Sequence, residues 1–307
     1  MGNKKTDNES ANRIRKSKHA APTFDFQPST FNFAFPSPIR KRFGQHFLVD
    51  DDYIRRIIAA LAPQTGETII EIGSGRGALT RHLVKHDVIL RAIEIDRDLG
   101  RELEASYGAM PNFSLVVEDA LRTDFCSLIA PAAQARVIAN LPYNISTPIL
   151  TRLIEYRACV TESILMLQRE VVERITARAG ESERGYLSVF VEAYCDAQPL
   201  FDVPPTCFNP PPKVWSSVVR LRAVKRDVMS GVDENILWRI VSAGFAQRRK
   251  TIFNNLRAIS GELSHTIEMR GGINSLLEQS GISPRARAET LTLEEWTRLA
   301  LNVKAED

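Results

Sequence analysis

Short apolar runs alternate with amphipathic segments between residues 68 and 156. The apolar runs predict strands, and the amphipathic segments predict helices. The predicted strands are Thr68–Ile72, Val88–Ile95, Phe113–Val117 and Arg136–Ala139, and the predicted helices are Ala78–His86, Leu99–Tyr107 and Ile149–Tyr156. Strands separated by helices of this length are typical of βαβ units. The pattern therefore predicts an α/β fold with a doubly wound, Rossmann-like parallel sheet.

The pattern on either side of this region is mostly helical. Before it, Asp50 to Asp52 offer capping oxygens for a helix that Pro63 ends, with an apolar face at Ile54, Ile57, Ile58 and Leu61. After the prolines 210–212, one strand is predicted at Val214–Leu221. Beyond Lys225 only helical spacing remains, as in the stripe Ile236, Leu237, Ile240, Val241 and Phe245.

The last helix has a capping box at Thr292 and Glu295, with Leu291 and Trp296 placed as a hydrophobic staple. Residues 1–38 are polar, then rich in Phe, Pro, Ser and Asn, which predicts a disordered basic tail. A transit peptide is the rival interpretation of that tail, and its acidic residues count against it. We therefore expect the tail at 1–38, a Rossmann-like sheet domain at 39–224 and a small all-helical domain at 225–307.

Composition narrows the class of protein. Hydrophobic residues make up 44% of the 307 residues and charged residues 25%, which are globular values. We find no apolar run long enough to span a bilayer and no secretion signal, so a cytoplasmic protein is expected. The four cysteines, Cys126, Cys159, Cys195 and Cys207, fit neither a CxxC zinc site nor a dense disulfide scaffold. We expect each to pack as a small hydrophobic residue.

The net charge of +3 is a sum of unlike segments. Residues 1–42 carry +6, residues 43–204 carry −7 and residues 205–307 carry +4. An acidic middle between basic ends indicates contact with a polyanion at the ends.

A glycine-rich loop follows the first strand of the sheet. Gly73, Gly75 and Gly77 allow a sharp turn and close approach of a ligand to the backbone. Glu94 ends the second strand, where an acid binds a ribose diol, and Asp119 follows the third, where it can accept from an adenine amine. Such a loop also fits NAD, but several acids around it suit the cationic S-adenosylmethionine better than a pyrophosphate.

The segment Asn140-Leu141-Pro142-Tyr143 follows the fourth strand, at the sheet edge where ligands bind. The Asn140 side-chain oxygen and the Leu141 carbonyl can accept both hydrogens of an adenine N6, whose lone pair then points at a methyl group. Pro142 restricts Leu141 to an extended backbone, and Tyr143 supplies a flat face for a flipped base. The segment predicts catalytic residues for methyl transfer to an amine.

Several stretches together give the chain a resemblance to the small-subunit (16S) ribosomal RNA adenine N6,N6-dimethyltransferase family. They are residues 41–48 (KRFGQHFL), 71–75 (EIGSG), 94–96 (EID), 118–120 (EDA), 140–146 (NLPYNIS), 167–171 (LQREV), 208–214 (FNPPPKV) and 245–251 (FAQRRKT). The resemblance runs from about residue 39 to about residue 300. It implies transfer of methyl groups from S-adenosylmethionine to N6 of two adjacent adenines in the 3′-terminal hairpin loop of 16S rRNA, during assembly of the small subunit.

The resemblance also assigns residues. It implies cofactor contacts at His46, Leu48, Gly73, Gly75, Glu94, Asp119 and Asn140. His46 stands where the family often has Asn, and Trp215 stands where smaller or polar residues are usual. Phe208 is a candidate second stacking face beside the catalytic segment, with core packing as the alternative. Arg248, Arg249 and Lys250 are expected to contact RNA phosphates.

Three alternatives remain open from the sequence. They are a large-subunit rRNA adenine dimethylase of the macrolide-resistance type, a mainly non-catalytic ribosome-assembly or transcription factor, and an NAD-dependent oxidoreductase. We expect 16S rRNA as the partner, a monomer, no membrane association and no metal. His82 and His86 have zinc-like spacing, but Leu83 stands between them and no third ligand is evident.

Overall fold

The computed structural model describes residues 46–303. The predicted tail at residues 1–38 lies outside these residues, as do positions 41–45 of the first family-like stretch. The described residues belong to one compact unit. None of their helices combines the length and apolar character needed to cross a bilayer.

Nine strands form two sheets among the described residues. They are β1 (Phe47–Leu48), β2 (Thr68–Ile72), β3 (Ile89–Glu94), β4 (Phe113–Val117), β5 (Ala135–Asn140), β6 (Val160–Gln168), β7 (Cys195–Val203), β8 (Phe208–Asn209) and β9 (Ser216–Ala223). The large sheet has the order β4-β3-β2-β5-β6-β9-β7, and β1 pairs separately with β8. Strands β2 to β6 pair in parallel, while β9 is antiparallel to both β6 and β7. The predicted α/β fold with a doubly wound sheet is confirmed.

The strand order places a switch point between β2 and β5. From β2 the chain builds outward through β3 to β4, and it then returns to the other side of β2 with β5. Ligands bind at the carboxyl ends of strands where the order reverses in this way. Gly73 follows β2, and Asn140 ends β5 beside it. The topology therefore brings the glycine loop and the Asn140 segment to one edge.

Seven α-helices lie within residues 46–194; the sequence predicted four of them, and the other three lie where it predicted none. They are α1 (Asp51–Leu61), α2 (Thr80–Leu83), α3 (Arg97–Tyr107), α4 (Phe125–Leu128), α5 (Ser146–Glu155), α6 (Arg169–Thr176) and α7 (Tyr186–Tyr194). The Asp50 carboxylate caps α1 by accepting from the amides of Asp52 and Tyr53. Helix α2 is shorter than the predicted Ala78–His86, because turns occupy both of its flanks.

The part of the chain beyond residue 225 is helical, as predicted. It contains α8 (Glu234–Gly244), α9 (Ile252–Leu256), α10 (Glu262–Met269), α11 (Gly272–Gln279) and α12 (Leu293–Val303). The capping box of α12 forms: the amide of Thr292 donates to Glu295 at 2.8 Å, and the amide of Glu295 donates to the Thr292 hydroxyl at 3.3 Å. Leu291 and Trp296, the predicted staple, are both fully buried.

Buried polar contacts join the helical segment to the sheet domain. The Arg184 guanidinium, in the turn before α7, donates to Glu192 at 2.7 Å and to the carbonyl of Leu291 at 3.1 Å. The Tyr194 hydroxyl donates to Glu234 on α8 and accepts from the Trp238 indole. These contacts span the predicted boundary at residues 224 and 225, so the sheet domain and the helical segment share a packed junction.

The cysteines correct one expectation. Cys126 and Cys159 form a disulfide that links α4 to the residue before β6, whereas we expected four small hydrophobic residues. Their separation of 33 residues carries no local pattern, and only the packing of α4 against the start of β6 brings them together. Cys195 and Cys207 are free and buried, as predicted.

Candidate active site

The glycine loop after β2 lies against the end of β5. Gly73 and Gly75 have φ values of 71° and 56°, a region that L residues with side chains rarely adopt. A Cβ on Gly73 would lie 3.9 Å from the carbonyl oxygen of Asn140, and one on Gly75 would lie 3.3 Å from the ring of Phe47. The missing side chains therefore leave room for a ligand between the loop and Asn140.

Glu94 at the end of β3 holds this loop in place. One carboxylate oxygen accepts from the amide of Gly75 at 2.8 Å, and the other accepts from the amide of Asp96 at 2.9 Å. The side chain is buried. Since each carboxylate oxygen has a second lone pair, Glu94 can still accept from a ribose hydroxyl. The structure thus adds a loop-fixing role to the ribose contact predicted from the sequence.

The loop after β4 presents Asp119 to the same edge. Asp119 is half-buried, and one of its oxygens accepts from the amide of Leu121 at 2.9 Å. Two large apolar side chains, Ile95 after β3 and Val117 at the end of β4, are 44% and 46% exposed beside these acids. Sequence reasoning missed both, although an apolar residue at a strand's carboxyl end is visible in the printed sequence. Together they offer apolar area to a flat ring next to hydrogen-bond acceptors.

Glu71 is buried beneath the loop, within β2. The Thr80 hydroxyl donates to its carboxylate at 2.7 Å. Burial raises the pKa of Glu71 to about 7, because a buried carboxylate loses its hydration, and the nearby charge of Glu94 adds to the effect. Glu71 therefore changes its charge near neutral pH, within the wall of the candidate site.

The Asn140 amide is oriented by His46, the residue that directly precedes β1. Its Nδ2 donates to the main-chain carbonyl of His46 at 3.4 Å. Because a carbonyl oxygen only accepts hydrogen bonds, the NH2 side of the Asn140 amide must face His46. The Oδ1 of Asn140 is therefore left as a hydrogen-bond acceptor on the other side. The ring Nδ1 of His46 is 2.7 Å from the carbonyl of Pro210, which ties this residue to the segment before β9.

The remaining residues of the catalytic segment are fixed in different ways. Leu141 is buried, and its amide donates to the carbonyl of Met166 at 3.3 Å. The hydroxyl of Tyr143 lies 3.0 Å from the Oγ of Ser216, and its ring centroid is 5.8 Å from that of His46. Pro142 separates Leu141 from Tyr143, so the Leu141 carbonyl and the Tyr143 ring both lie within three residues of Asn140. The structure thus brings Asn140, Leu141, Pro142 and Tyr143 together with His46.

Two residues that the sequence assigned to the site, Leu48 and Phe208, lie in the hydrophobic core next to it. Leu48 and Phe208 are paired across β1 and β8, and both are buried in the hydrophobic core at 3% and 4% exposure. Phe208 occupies a packing position without a ligand, so a stacking role for its ring stays a prediction. Leu48 anchors β1 in the core, and His46 directly precedes that strand.

The predicted RNA-contacting cations lie in the turn between α8 and α9. Arg248, Arg249 and Lys250 are all exposed. The Arg248 guanidinium donates to the carbonyl of Ser182 in the loop before α7, so it also joins two segments of the chain. Arg248 thus differs from Arg249 and Lys250 in making this hydrogen bond within the protein, although all three side chains are exposed.

The residues at this edge fit a methyl-donor cofactor. The Gly73 turn provides a cradle that a Cβ would narrow, and Glu71, Glu94 and Asp119 surround it with acidic groups. Such a donor set suits a ligand with ammonium and sulfonium charges and an adenine ring. Across residues 46–303, no three His, Cys, Asp or Glu side chains cluster as metal ligands.

Comparison with known proteins gives one consistent result. A family model described as ribosomal RNA adenine dimethylase matches residues 37–300. The ribosomal RNA small subunit methyltransferase A of Hahella chejuensis is 40% identical over 261 residues, which are 85% of this chain and 91% of the relative. The protein of that name from Xanthomonas oryzae pv. oryzae is 42% identical over 271 residues, 88% of this chain and 98% of the relative.

Solved structures share the fold. A dimethyladenosine transferase from Plasmodium falciparum superposes with a TM-score of 0.70 at 25% identity and covers 83% of this chain and 96% of its own. The 23S rRNA methyltransferase ErmE superposes with a TM-score of 0.60 at 23% identity and covers 84% of this chain and 99% of its own. The second likeness is one of fold alone.

Proposed function

The chain belongs to the ribosomal RNA adenine dimethylase family, and from this we propose how its site performs the reaction and on which adenines. The chain is an S-adenosylmethionine-dependent rRNA adenine dimethyltransferase that acts on small-subunit rRNA. The finer proposal is that it modifies two adjacent adenines in the 3′-terminal hairpin loop of 16S rRNA during subunit assembly. The observation that carries the proposal is the oriented amide of Asn140 beside the glycine loop.

Bound at the glycine loop, S-adenosylmethionine supplies an electrophilic methyl group. We assign the ribose hydroxyls to Glu94 and the adenine amine to Asp119, since both carboxylates retain free lone pairs. The family resemblance implies cofactor contacts at His46, whose carbonyl accepts from Asn140, and at Leu48, which ends β1. Ile95 and Val117 would cover the faces of the adenine ring.

The target amine is activated by hydrogen bonding. The Asn140 Oδ1 and the Leu141 carbonyl accept the two N6 hydrogens, which favours a pyramidal nitrogen with its lone pair directed at the methyl group. Rigidity matters here because methyl transfer depends on alignment of nitrogen and methyl carbon. The amide bond to His46 and the buried position of Leu141 supply that rigidity. No protein base is required in this scheme. The ammonium ion formed on N6 by methyl transfer is far more acidic than an ordinary alkylammonium ion, so it passes its proton to water.

Tyr143 is positioned to stack on the flipped adenine. Its hydroxyl lies 3.0 Å from the Oγ of Ser216, which fixes the direction in which the side chain points. Stacking on an aromatic side chain compensates for the stacking that a base loses when it leaves its loop. Phe208 is the second candidate face, and Phe208→Ala tests it: unchanged turnover of RNA assigns Phe208 to core packing alone.

Dimethylation makes unequal demands on Asn140. After the first transfer N6 keeps one hydrogen, so one acceptor suffices in the second round. We predict that Asn140→Ala slows the first transfer by about 100-fold and the second by a different factor. Single-turnover assays with unmethylated and monomethylated RNA hairpins measure the two rates. Equal losses in both rounds would contradict this scheme, and Asn274→Ala, an exposed asparagine on α11, provides the matched control.

The proposed target is tested in cells. Primer extension over the 3′ end of 16S rRNA stops at dimethyladenine, because the two methyl groups block base pairing. We expect the stop at the two adjacent adenines to vanish in a strain lacking the gene. It should return with the wild-type gene but not with Asn140→Ala. A stop that persists in the deletion strain, or a lost stop in 23S rRNA, would refute the target; the latter is the outcome for the macrolide-resistance type.

The remaining alternatives are separated by binding and size. S-adenosylmethionine is expected to raise the melting temperature, while NAD leaves it unchanged. Full complementation of ribosome assembly by Asn140→Ala would favour a non-catalytic assembly factor. Sedimentation velocity tests the expected monomer.

A further inference from the structure

Trp215 is a large aromatic residue exposed at the rim of the active site. Its exposed fraction is 46%, and that of the preceding Val214 is 44%. The backbone is ordered at this point, because the carbonyl of Trp215 accepts from the amide of Arg169 at 3.0 Å, where β6 passes into α6. Val214 and Trp215 together expose adjacent apolar area on a fixed backbone, which a ligand could cover with a gain in free energy.

Trp215 directly precedes Ser216, which holds the hydroxyl of Tyr143. The Cα atoms of neighbouring residues are about 3.8 Å apart, so the Cα of Trp215 lies at that distance from the Cα of Ser216, a residue of the pocket wall. Trp215 lies just before β9 begins at Ser216, so its side chain is attached next to the part of the pocket wall that Ser216 and Tyr143 form.

The surroundings of Trp215 suit a nucleic acid strand. Lys213, two residues earlier, is exposed, and the side chain of Arg169, whose amide donates to the Trp215 carbonyl, is half exposed. Arg169 lies near Glu173 and Asp202, so its charge is partly offset, whereas Lys213 has no ion pair among the described residues. Within residues 46–303 no aromatic ring packs against Trp215, and about half of its surface is exposed.

We propose that Trp215 is the stacking platform for the nucleotide adjacent to the target adenine. The proposal rests on the proposed function, in which one adenine leaves the loop and stacks on Tyr143. Flipping one base removes a stacking partner from the next base along the strand. An indole one residue from the pocket restores that stacking and fixes the strand. Trp215 is thus a positioning residue, which holds the RNA so that either of two adjacent adenines can enter.

Kinetics of four variants test this role. For an RNA hairpin with two adjacent loop adenines, we expect Trp215→Ala to raise KM on the order of tenfold and to change kcat far less. Trp215→Phe keeps a flat ring and should restore most of the affinity, whereas Trp215→Leu keeps apolar area without a ring and should not. Val214→Ala removes a neighbouring side chain of similar exposure and should behave as wild type.

Fluorescence measures the contact itself. The chain has three tryptophans, and Trp238 and Trp296 are buried at 2% and 0% exposure, so acrylamide quenching reports on Trp215. Binding of the hairpin should protect this fluorescence from acrylamide. A hairpin with abasic sites on both sides of a single target adenine should bind without protecting it.

The outcomes separate the two proposals. Equal KM values for Trp215→Leu and wild type, or unprotected fluorescence in a saturated complex with the intact hairpin, would overturn the stacking role while methylation by the wild-type enzyme upheld the proposed function. If the wild-type enzyme methylated neither the hairpin nor unmodified small subunits, the proposed function would fail first, and the stacking role with it.

Discussion

The catalytic amide owes its orientation to main-chain atoms far away in sequence. The donor at Asn140 and its acceptor at His46 are 94 residues apart, and the Tyr143 and Ser216 hydroxyls are 73 residues apart. A main-chain carbonyl offers a fixed acceptor whatever side chain it carries. His46 can therefore orient Asn140 although the family often has Asn at its position.

Glu71 makes stability depend on pH. Its pKa is about 7 in the folded chain and near 4.5 when unfolded, so the folded state binds more protons between these values. The free energy of unfolding should therefore fall as pH rises from 5 to 8. At 1.36 kcal/mol per pKa unit, the rise from 4.5 to about 7 corresponds to about 3 kcal/mol for this one group.

Chemical denaturation at pH 5 and pH 8 measures this slope. Glu71→Gln should remove the part of the slope that Glu71 supplies, and it should gain stability relative to wild type at pH 8. Glu278→Gln, an exposed glutamate on α11, should keep the wild-type slope. An identical slope in wild type and Glu71→Gln would show that Glu71 titrates normally.

Residue roles were predictable only where a short motif carries the chemistry. The glycine loop and the Asn140 segment were located because their residue types suit particular ligands at a strand end. The partners that orient them were not predictable, since a contact between distant segments leaves no local pattern. The Cys126–Cys159 disulfide is the clearest case.

At the level of elements, periodicity located most of the sheet. The strands β2 to β5 were predicted to within one or two residues because each is a short apolar run between turns. Strands β6 and β7 were missed. Strand β7 is an edge strand with an irregularity near Pro199, and proline is depleted in the strands that sequence patterns describe. Strands β1 and β8 are two-residue pairings, too short for any period.

Helix α12 tests the value of a predicted cap. Removing a threonine cap costs about 1 kcal/mol, so Thr292→Ala should lower the free energy of unfolding by about that amount. Thr292→Ser keeps the hydroxyl and should stay close to wild type. Urea denaturation compares the variants; equal stability of Thr292→Ala and wild type would mean that the bond at 3.3 Å contributes nothing.

The whole molecule divides its charge by location. The acidic segment, residues 43–204, contains the acids around the cofactor site, and the basic segment, residues 205–307, contains the exposed cations after α8. The near-neutral total of +3 hides this division. Because Arg248 already contacts Ser182, its exposed neighbours Arg249 and Lys250 are better probes of RNA binding.

Charge reversal tests the basic turn. Arg249→Glu with Lys250→Glu should weaken RNA binding and lower the slope of log affinity against log salt by about two, because each phosphate contact contributes about 0.9. Cofactor affinity should not change. Arg101→Glu with Lys85→Glu makes the same charge change elsewhere on the exposed surface. An unaltered salt slope in the first pair would remove this turn from the RNA interface.

The central claim is that this site places two methyl groups on N6 of adenines in small-subunit rRNA. The most direct measurement incubates the enzyme and labelled S-adenosylmethionine with unmodified small and large ribosomal subunits. Mass spectrometry of nuclease fragments of the rRNA then locates the label, and mass spectrometry of the nucleosides identifies the modified base. The account predicts N6,N6-dimethyladenosine from adjacent adenines near the 3′ end of 16S rRNA, and almost none with Asn140→Ala. Label in 23S rRNA, label on an atom other than N6, or full activity of Asn140→Ala would contradict it.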